Sequence, residues 1–460
     1  MNSSNQKAAT PDKPARFKLS IQSIRWWVLV MMLCVGSFWY GIHLQKRIAR
    51  QDRLPTVARI AQYIANVPQD FKKLLKDPTG ISRPELPSEI RVPEEKIFYI
   101  GEDSIPVDMD YLYLKSDPKS DSLLVRKQNL KTLKMNAEWK LSIPYLEELS
   151  KTVQQKALKK YSGRSNYFEK VEHEPRPRAP LVLSNGNLVI PIQYFLHCFD
   201  PEGNLIWTNS DYSHHSIELD ANGDIWICTG VGENKDFQED AIAKIDPDTG
   251  ETIYFKSLTE MFVENPEHDL SDLGKKDLYV FDLDPYHLND VQPVLSDGEY
   301  WKQGDLFISM RHINTVMLYR PATNKILWRN STSWSKQHDV NFVNDHSITV
   351  FDNNHRHKLS DLSQQTYGRF NRCVFIDFQT GEQKLLFPKI FEKHKCRTPT
   401  EGRCKLFPEH QIFHIESSDD SIGVIYDIAK DESWTFGIRG HSEGYLSQLN
   451  WFRLLEPSSN

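Results

Sequence analysis

One hairpin pattern recurs along the chain, and it restricts the fold more than any other feature. In each copy an apolar strand runs into a tight polar turn and then a second apolar strand: FDPEGNLIW at Phe199–Trp207, IDPDTGETIYF at Ile245–Phe255, YRPATNKILW at Tyr319–Trp328 and IDFQTGEQKLLF at Ile376–Phe387. Apolar runs on either side of an Asp/Asn/Pro/Gly turn read as antiparallel hairpins. A further apolar strand precedes each one, at Leu183–Ile192, Leu219–Gly230, Gln303–Arg311 and Val343–Asn353. A looser copy spans Tyr111–Leu141 and a late one Ser417–Phe436.

Six four-stranded units at a spacing of roughly 45–75 residues are what a β-propeller needs, because each blade buries its faces only against its neighbours. Two β-sandwiches are the alternative, but sandwiches do not require one hairpin to recur. The expected fold class is therefore all-β, a six-bladed β-propeller over residues 97–455. A helical stretch at Pro144–Tyr161 reads as an insertion between strand-rich segments. Trp139, Trp207, Trp328 and Trp434 recur at the blade hairpins, where packing accounts for them. DANGD at Asp220–Asp224 has part of a calcium-loop pattern without its later ligands, so it reads as a β-turn.

The N-terminal part differs in kind. From Trp26 to Gln45 there is no formally charged residue apart from the titratable His43, and about 20 residues suffice for a helix to cross a bilayer. Tryptophans at one end and Trp39/Tyr40 near the other fit the interfacial belt. A cleaved signal peptide is the alternative; the small-x-small cleavage site is missing and Lys46, Arg47 and Arg50 follow directly, which favours an uncleaved anchor. Basic residues on the two sides nearly balance, and we take the N-terminus as cytoplasmic. The expected order is a tail (1–25), a single transmembrane helix (26–45), a juxtamembrane helix and linker (46–96), and the propeller. Cys396 and Cys404 flank RTPTEGR, which reads as an exposed loop that a disulfide would close in an oxidising compartment; a pair of unlinked thiols is the alternative. No Cys/His cluster accompanies them, so zinc is not expected there. With 62 acidic residues against 56 basic ones the chain carries −6, which argues against nucleic acid as a partner.

Polar residues at the starts and ends of apolar strands are the candidates for chemistry: His214 and His215 before SIELD; His287, Asn289 and Asp290 in HLNDVQPV; Arg311 in FISMRHIN; Gln337, His338 and Asp339 before VNFV. Each alone is more often a hydrogen-bonded structural residue. Together, in successive blades, they point to one axis. The ordered set HxND, SxRxxN and QHD…FDN resembles the arylsulfotransferase family, propeller enzymes that move a sulfuryl group between phenols without the nucleotide donor PAPS. The resemblance is clear over 180–360 and looser over the whole propeller.

It implies an enzyme with no cofactor, acting on small-molecule aryl sulfates and phenolic acceptors, with His338 as the nucleophile that carries the sulfuryl group. It further implies His215, or His214, as a general acid and base, Arg311 as the clamp on sulfuryl oxygens, and His287 and Asn289 as donors. Asp339 or Asp290 would fix an imidazole tautomer. These residue types suit the chemistry: neutral imidazole is a nucleophile, and an N-sulfated intermediate divides the transfer into two easier steps. Guanidinium holds two oxygens of one anion. The family's dimerising N-terminal β-domain has no counterpart, an anchor and linker standing in its place. Anchor and enzyme together suggest a bacterial inner-membrane protein whose propeller faces the periplasm. Two other functions fit the fold: a non-catalytic scaffold for envelope proteins, and a quinone-dependent dehydrogenase. The second lacks a tryptophan-docking repeat in every blade.

Overall fold

The computed structural model describes residues 89–456 apart from 92–95, 118, 161–176, 193–194, 212, 232–238, 269–283, 359–360, 368–369 and 441–443. The tail, the anchor and nearly all of the linker lie outside these residues. Among the described residues no helix is long and apolar enough to cross a membrane.

Six antiparallel sheets form the six blades. Blade 2 holds Leu181–Val182, Leu188–Ile192, Phe195–Phe199 and Leu205–Asn209; blade 3 holds His214–Leu219, Ile225–Gly230, Asp240–Ile245 and Thr252–Ser257. Blade 4 is Leu288–Pro293, Leu306–Met310, Thr315–Arg320 and Lys325–Asn330. Blade 5 is Val340–Phe342, Ser347–Asp352, Arg372–Asp377 and Gln383–Leu386, with the hairpin His355–Lys358/Asp361–Tyr367 inserted after its second strand. Blade 6 is Arg403–Phe407, Ile412–Ser417, Ile422–Asp427 and Glu432–Arg439. Blade 1 closes the ring: Asp110–Asp117, Ser122–Asn129 and Met135–Ser142 take their fourth strand, Arg453–Leu455, from the other end of the chain, with Leu454 opposite Tyr111.

All the hairpins read from the sequence are present, and the helix runs Ile143–Lys160 between blades 1 and 2. The compact part also reaches back before residue 97. Glu89–Arg91 pairs with Tyr445–Ser447, and Phe98–Tyr99 lies parallel to Phe436–Gly437, both widening blade 6. Successive blades pack through apolar second and third strands; Leu188, Val189, Ile190, Phe195, Leu196 and Phe199 in blade 2 are essentially inaccessible. At about 1.5–3 kcal/mol for each large apolar side chain buried, these seams supply most of the driving force for folding. The turns set the register. Trp207 reaches from blade 2 to the Pro247 carbonyl of blade 3, and a Cβ at Gly250 (φ +73°) would fall 2.6 Å from its ring, so only glycine fits that turn. Asp220 accepts from the amides of Asn222 and Asp224 and pairs with Lys244, so DANGD is a turn.

First strands of neighbouring blades contact one another around the axis. Carboxylates bolt neighbouring blades together through the next blade's backbone: Asp240 accepts from Leu288 N (2.8 Å), Asp290 from Val340 N (2.7 Å), Asp339 from Cys404 N (3.2 Å) and Glu416 from Phe452 N (2.9 Å). An amide with no ladder partner is satisfied each time by the adjacent blade.

Two expectations are corrected here. Cys396 and Cys404 are buried free thiols in an apolar cluster with Phe351, Cys373, Phe391 and Phe413, not the exposed flanks of a loop. In the segment between them Thr398 and Arg403 are buried while Arg397 and Thr400 are exposed, so RTPTEGR faces the interior of the ring as well as solvent. Asp339 is a bolt: its oxygens accept from Arg403 Nε (2.8 Å), Cys404 N and Asn341 Nδ2, and nothing ties it to an imidazole or leaves it for substrate. Asp290 accepts from Val340 N through Oδ2, and burial, with Asp339 and Glu218 nearby, pushes its carboxyl well above the usual range.

Candidate functional site

A left-handed residue precedes the innermost strand of every blade: Ala179 (φ 43°), His215 (58°), His287 (51°), Lys336 (60°), Glu401 (57°) and Trp451 (60°). Non-glycine residues rarely adopt this region, and it costs about 1–3 kcal/mol where it is held. Six repeats of it make a built feature of the ring: the kink turns the chain into the axial strand at one end of the channel. In blade 3 it is a register break between His214 and Ile217.

The kinks bring side chains from five blades together. The ring of His215 lies 5.0 Å from His287, 6.1 Å from His338 and 6.4 Å from Trp451, between centroids, and His338 is 6.5 Å from Trp451. His338 itself stands two residues beyond its blade's kink, just before Val340–Phe342. The glutamate at the sixth kink enters the same space: Glu401 Oε1 is 3.9 Å from His215 Nε2, and Oε2 accepts from Trp451 Nε1 at 2.5 Å.

Hydrogen bonds fix which imidazole nitrogens carry protons. Asn353 Nδ2 donates to the carbonyls of Thr398 (3.0 Å) and Glu401 (2.8 Å), so its Oδ1 is what faces His338 Nδ1 at 2.6 Å. His338 therefore donates from Nδ1 and presents a lone pair at Nε2, where the Glu401 amide approaches to 3.0 Å. Burial first, and the Arg311 charge second, hold His338 well below the ordinary histidine range, so it is neutral at pH 7. His214 lies behind His215, its Nε2 3.3 Å from the Thr229 carbonyl and its Nδ1 2.9 Å from His215 Nδ1. That chain makes His215 Nδ1 a donor and leaves a lone pair on its Nε2. Burial, then His287 and His214, keep His215 far below the usual range. Of the two candidates in blade 3, His215 is the one among the clustered rings.

His287 has a different partner. Its Nδ1 is 2.5 Å from Asp284 Oδ2, and its ring lies 4.3 Å from His312, whose Nδ1 bonds the Asp284 carbonyl at 2.6 Å. Burial pushes the Asp284 carboxyl up, but the facing His287 outweighs it and holds the group at about 2. A carboxylate on Nδ1 orients an imidazole and steadies its charged form. Arg311 follows Met310 at the end of blade 4's second strand, with Nη2 3.5 Å from the Pro399 carbonyl. Asn289 is fully buried and donates from Nδ2 to the Gln337 carbonyl (2.7 Å), tethering the His338 segment to blade 4.

Five residues of the cluster escape sequence reading: Asp284, His312, Asn353, Glu401 and Trp451. Asp284 stands three residues before His287, the one spacing that hints at its role. Asn353 belongs to the FDN run. Glu401 and Trp451 carry no local signal, because only ring closure brings blades 6 and 1 to the histidines. Two groups of three, His215/His338/Glu401 and Asp284/His287/His312, hold potential ligand atoms within 4.8 Å of one another.

Fold and site together define a six-bladed propeller with imidazoles, a guanidinium and a carboxylate converging at one end of its channel. The family model for arylsulfotransferase (ASST) matches residues 179–440, more than half of the chain and the whole of this cluster except Trp451. The chain belongs to the arylsulfotransferase family, and that membership points to a sulfotransferase acting on small aryl molecules. No curated protein matches it in sequence. Among solved structures it is similar to a protein of unknown function from Bacteroides caccae (8% identity, TM-score 0.42, 71% of this chain and 93% of that one). It is also similar to Kuenenia stuttgartiensis hydrazine synthase (12%, 0.40, 72% and 81%) and to a streptogramin B lyase (11%, 0.34, 78% and 88%). Scores this low bear on neither fold nor activity.

Proposed function

We propose that the protein is an aryl sulfotransferase in which His338 carries the sulfuryl group. The observation that supports this most is the fixed tautomer of His338: buried, neutral, protonated on Nδ1 by its bond to Asn353, with the Nε2 lone pair turned toward His215 and Glu401. A nucleophile needs its base form at working pH and one orientation.

In this reading an aryl sulfate displaces the Glu401 amide from Nε2. An N–S bond forms while the S–O(aryl) bond breaks with its electron pair on the departing aryl oxygen. His287, backed by Asp284, gives that oxygen a proton, and Arg311 holds the sulfuryl oxygens as charge is redistributed. In the second half a phenol attacks sulfur, its proton passes to His287, and the N–S pair returns to His338. The proton donor is thus assigned to His287, because the Asp284 carboxylate on its Nδ1 fixes the ring beside His215, whereas His215 is held neutral. His215 Nε2 remains an acceptor for the phenol hydroxyl. The apolar run 26–45 would tether this domain to a membrane, with the propeller on the periplasmic side.

The test is transfer from p-nitrophenyl sulfate to phenol, with His338→Ala beside it. Ping-pong kinetics, a sulfated His338 peptide and at least a thousandfold loss in the variant are expected, about 4 kcal/mol of barrier. A folded protein inert across several aryl sulfates and phenols would overturn the reading and leave the scaffold alternative.

A further inference from the structure

The two triads that share this end of the channel differ in where their protons lie. In Asp284/His287/His312 both imidazoles turn Nδ1 toward Asp284, to its carboxylate in one case and its carbonyl in the other, and these bonds are short. Protons fill the space between the groups, so that triad is a hydrogen-bonded unit. In His215/His338/Glu401 the protons are on the far side. His215 spends its Nδ1 proton on His214 and His338 spends its own on Asn353, which leaves two Nε2 lone pairs and a carboxylate oxygen facing one another. The Glu401 amide gives His338 Nε2 a proton to accept, whereas the His215 Nε2 and Glu401 Oε1 lone pairs face each other, a repulsion that a cation between them would relieve.

We propose that His215 Nε2, His338 Nε2 and Glu401 Oε1 form a binding site for a borderline divalent cation of the Zn²⁺ type, and that the bound cation blocks sulfuryl transfer.

The donor set is two imidazoles and one carboxylate, which suits Zn²⁺ and its neighbours and not Ca²⁺ or Mg²⁺. Each donor already has the outer partner that such sites require: His214 behind His215, Asn353 behind His338, and Trp451 Nε1 on the second oxygen of Glu401. The histidines are buried, 9% and 1% exposed, and uncharged, so the trio carries one negative charge that a divalent cation overcompensates. Tetrahedral Zn²⁺ sets its ligand atoms about 3.4 Å apart. The 3.9 Å between His215 Nε2 and Glu401 Oε1 must close slightly, and the Glu401 amide must leave His338 Nε2. Glu401 sits at a kink next to Gly402 (φ 101°), so two residues with positive φ stand directly before the blade 6 strand at Arg403–Phe407. The blocking follows from the proposed function, on which it rests: one lone pair cannot both bind a metal and attack sulfur.

The full-length chain, stripped with a chelator, is titrated with Co²⁺ as a spectroscopic probe and then with Zn²⁺. One equivalent of Co²⁺ should produce visible d–d absorption that Zn²⁺ abolishes. Glu401→Gln, which keeps the size and the Trp451 contact, and His215→Ala should each weaken binding by more than the roughly 10–100-fold that loss of an outer partner costs. Asp284→Asn should bind as the parent does. Unchanged Co²⁺ binding in Glu401→Gln overturns the site, as does weakening in Asp284→Asn alone. Zn²⁺ at one equivalent should stop transfer and a chelator restore it; a chain that transfers sulfuryl groups at full rate with Zn²⁺ bound overturns the blocking. Glu401-dependent binding in a chain with no transfer activity would sink the sulfotransferase reading and the blocking with it, and would leave the cation site standing.

Discussion

At the scale of single residues, the proposed mechanism divides the labour between two histidines through their second nitrogens. His338 bonds an amide oxygen, Asn353 Oδ1, and His287 a carboxylate oxygen, Asp284 Oδ2. In that mechanism nucleophile and proton carrier are set apart by these partners, in the way paired groups are given opposite tasks by opposite surroundings. Asp284→Asn tests the second half of this. The amide keeps the shape and removes the charge that steadies protonated His287, so transfer should fall by about 10²–10⁴-fold. The decisive readout is leaving-group dependence: p-nitrophenolate departs with little help and should lose least, while an unsubstituted phenyl sulfate should lose most. A uniform loss across donors would mean that Asp284 only supports the fold.

Between blades, the elements are joined by carboxylates more than by turns. Asp339 alone meets Arg403, the Cys404 amide and Asn341, and Arg403 also lies 3.6 Å from Glu218. Asp339→Ala leaves a buried guanidinium short of a counter-charge and an amide short of an acceptor, which costs about 3–5 kcal/mol. Asp339→Asn keeps an acceptor and should cost less. Urea midpoints of the two variants check the order, and equal midpoints would remove Asp339 from the list of bolts. The hairpins of these blades were legible in the sequence because their turns need particular residues; FDPEGN and IDPDTG each announce a reversal. The kinks were not, because Ala179, His215, Lys336, Glu401 and Trp451 share no side-chain chemistry, and it is ring geometry that forces their backbone. For the same reason Glu401 was read as part of an exposed loop between two cysteines. Of the candidate site, the strand-start histidines and Arg311 were visible as polar residues beside apolar runs. Their partners come from blades distant in sequence, and no local pattern marks them.

For the molecule as a whole, closing the ring buries histidines beyond those placed in the proposed reaction, and that sets its response to acid. His197, His214 and His414 are buried at 0–3% exposure, and burial depresses each to about 3. In the unfolded chain they take up protons near the ordinary value of about 6.5. The unfolded state therefore binds more protons throughout the interval from about 6.5 down to about 3, and stability is full above it and lost as pH falls through it. Each histidine contributes a slope of about 1.4 kcal/mol per pH unit there, and His215, His312 and His338, depressed by burial as well, act in the same direction. Glu416 and Asp290 work in the other direction, since burial raises the first to about 7 and the second well above the usual carboxylate range, so their contributions fade as pH rises and offset part of this slope. Against a total of about 5–15 kcal/mol, the ring should open within two or three pH units below 6.5. His414 is the place to test this, because it packs between Tyr111 and Phe436 at 5.9 and 6.0 Å, where a phenyl ring fits the same apolar contacts. Melting temperatures followed from pH 7 to pH 4 should fall steeply in the parent. His414→Phe should make that fall shallower, and a variant that melts in parallel with the parent would show that buried histidines do not govern acid unfolding.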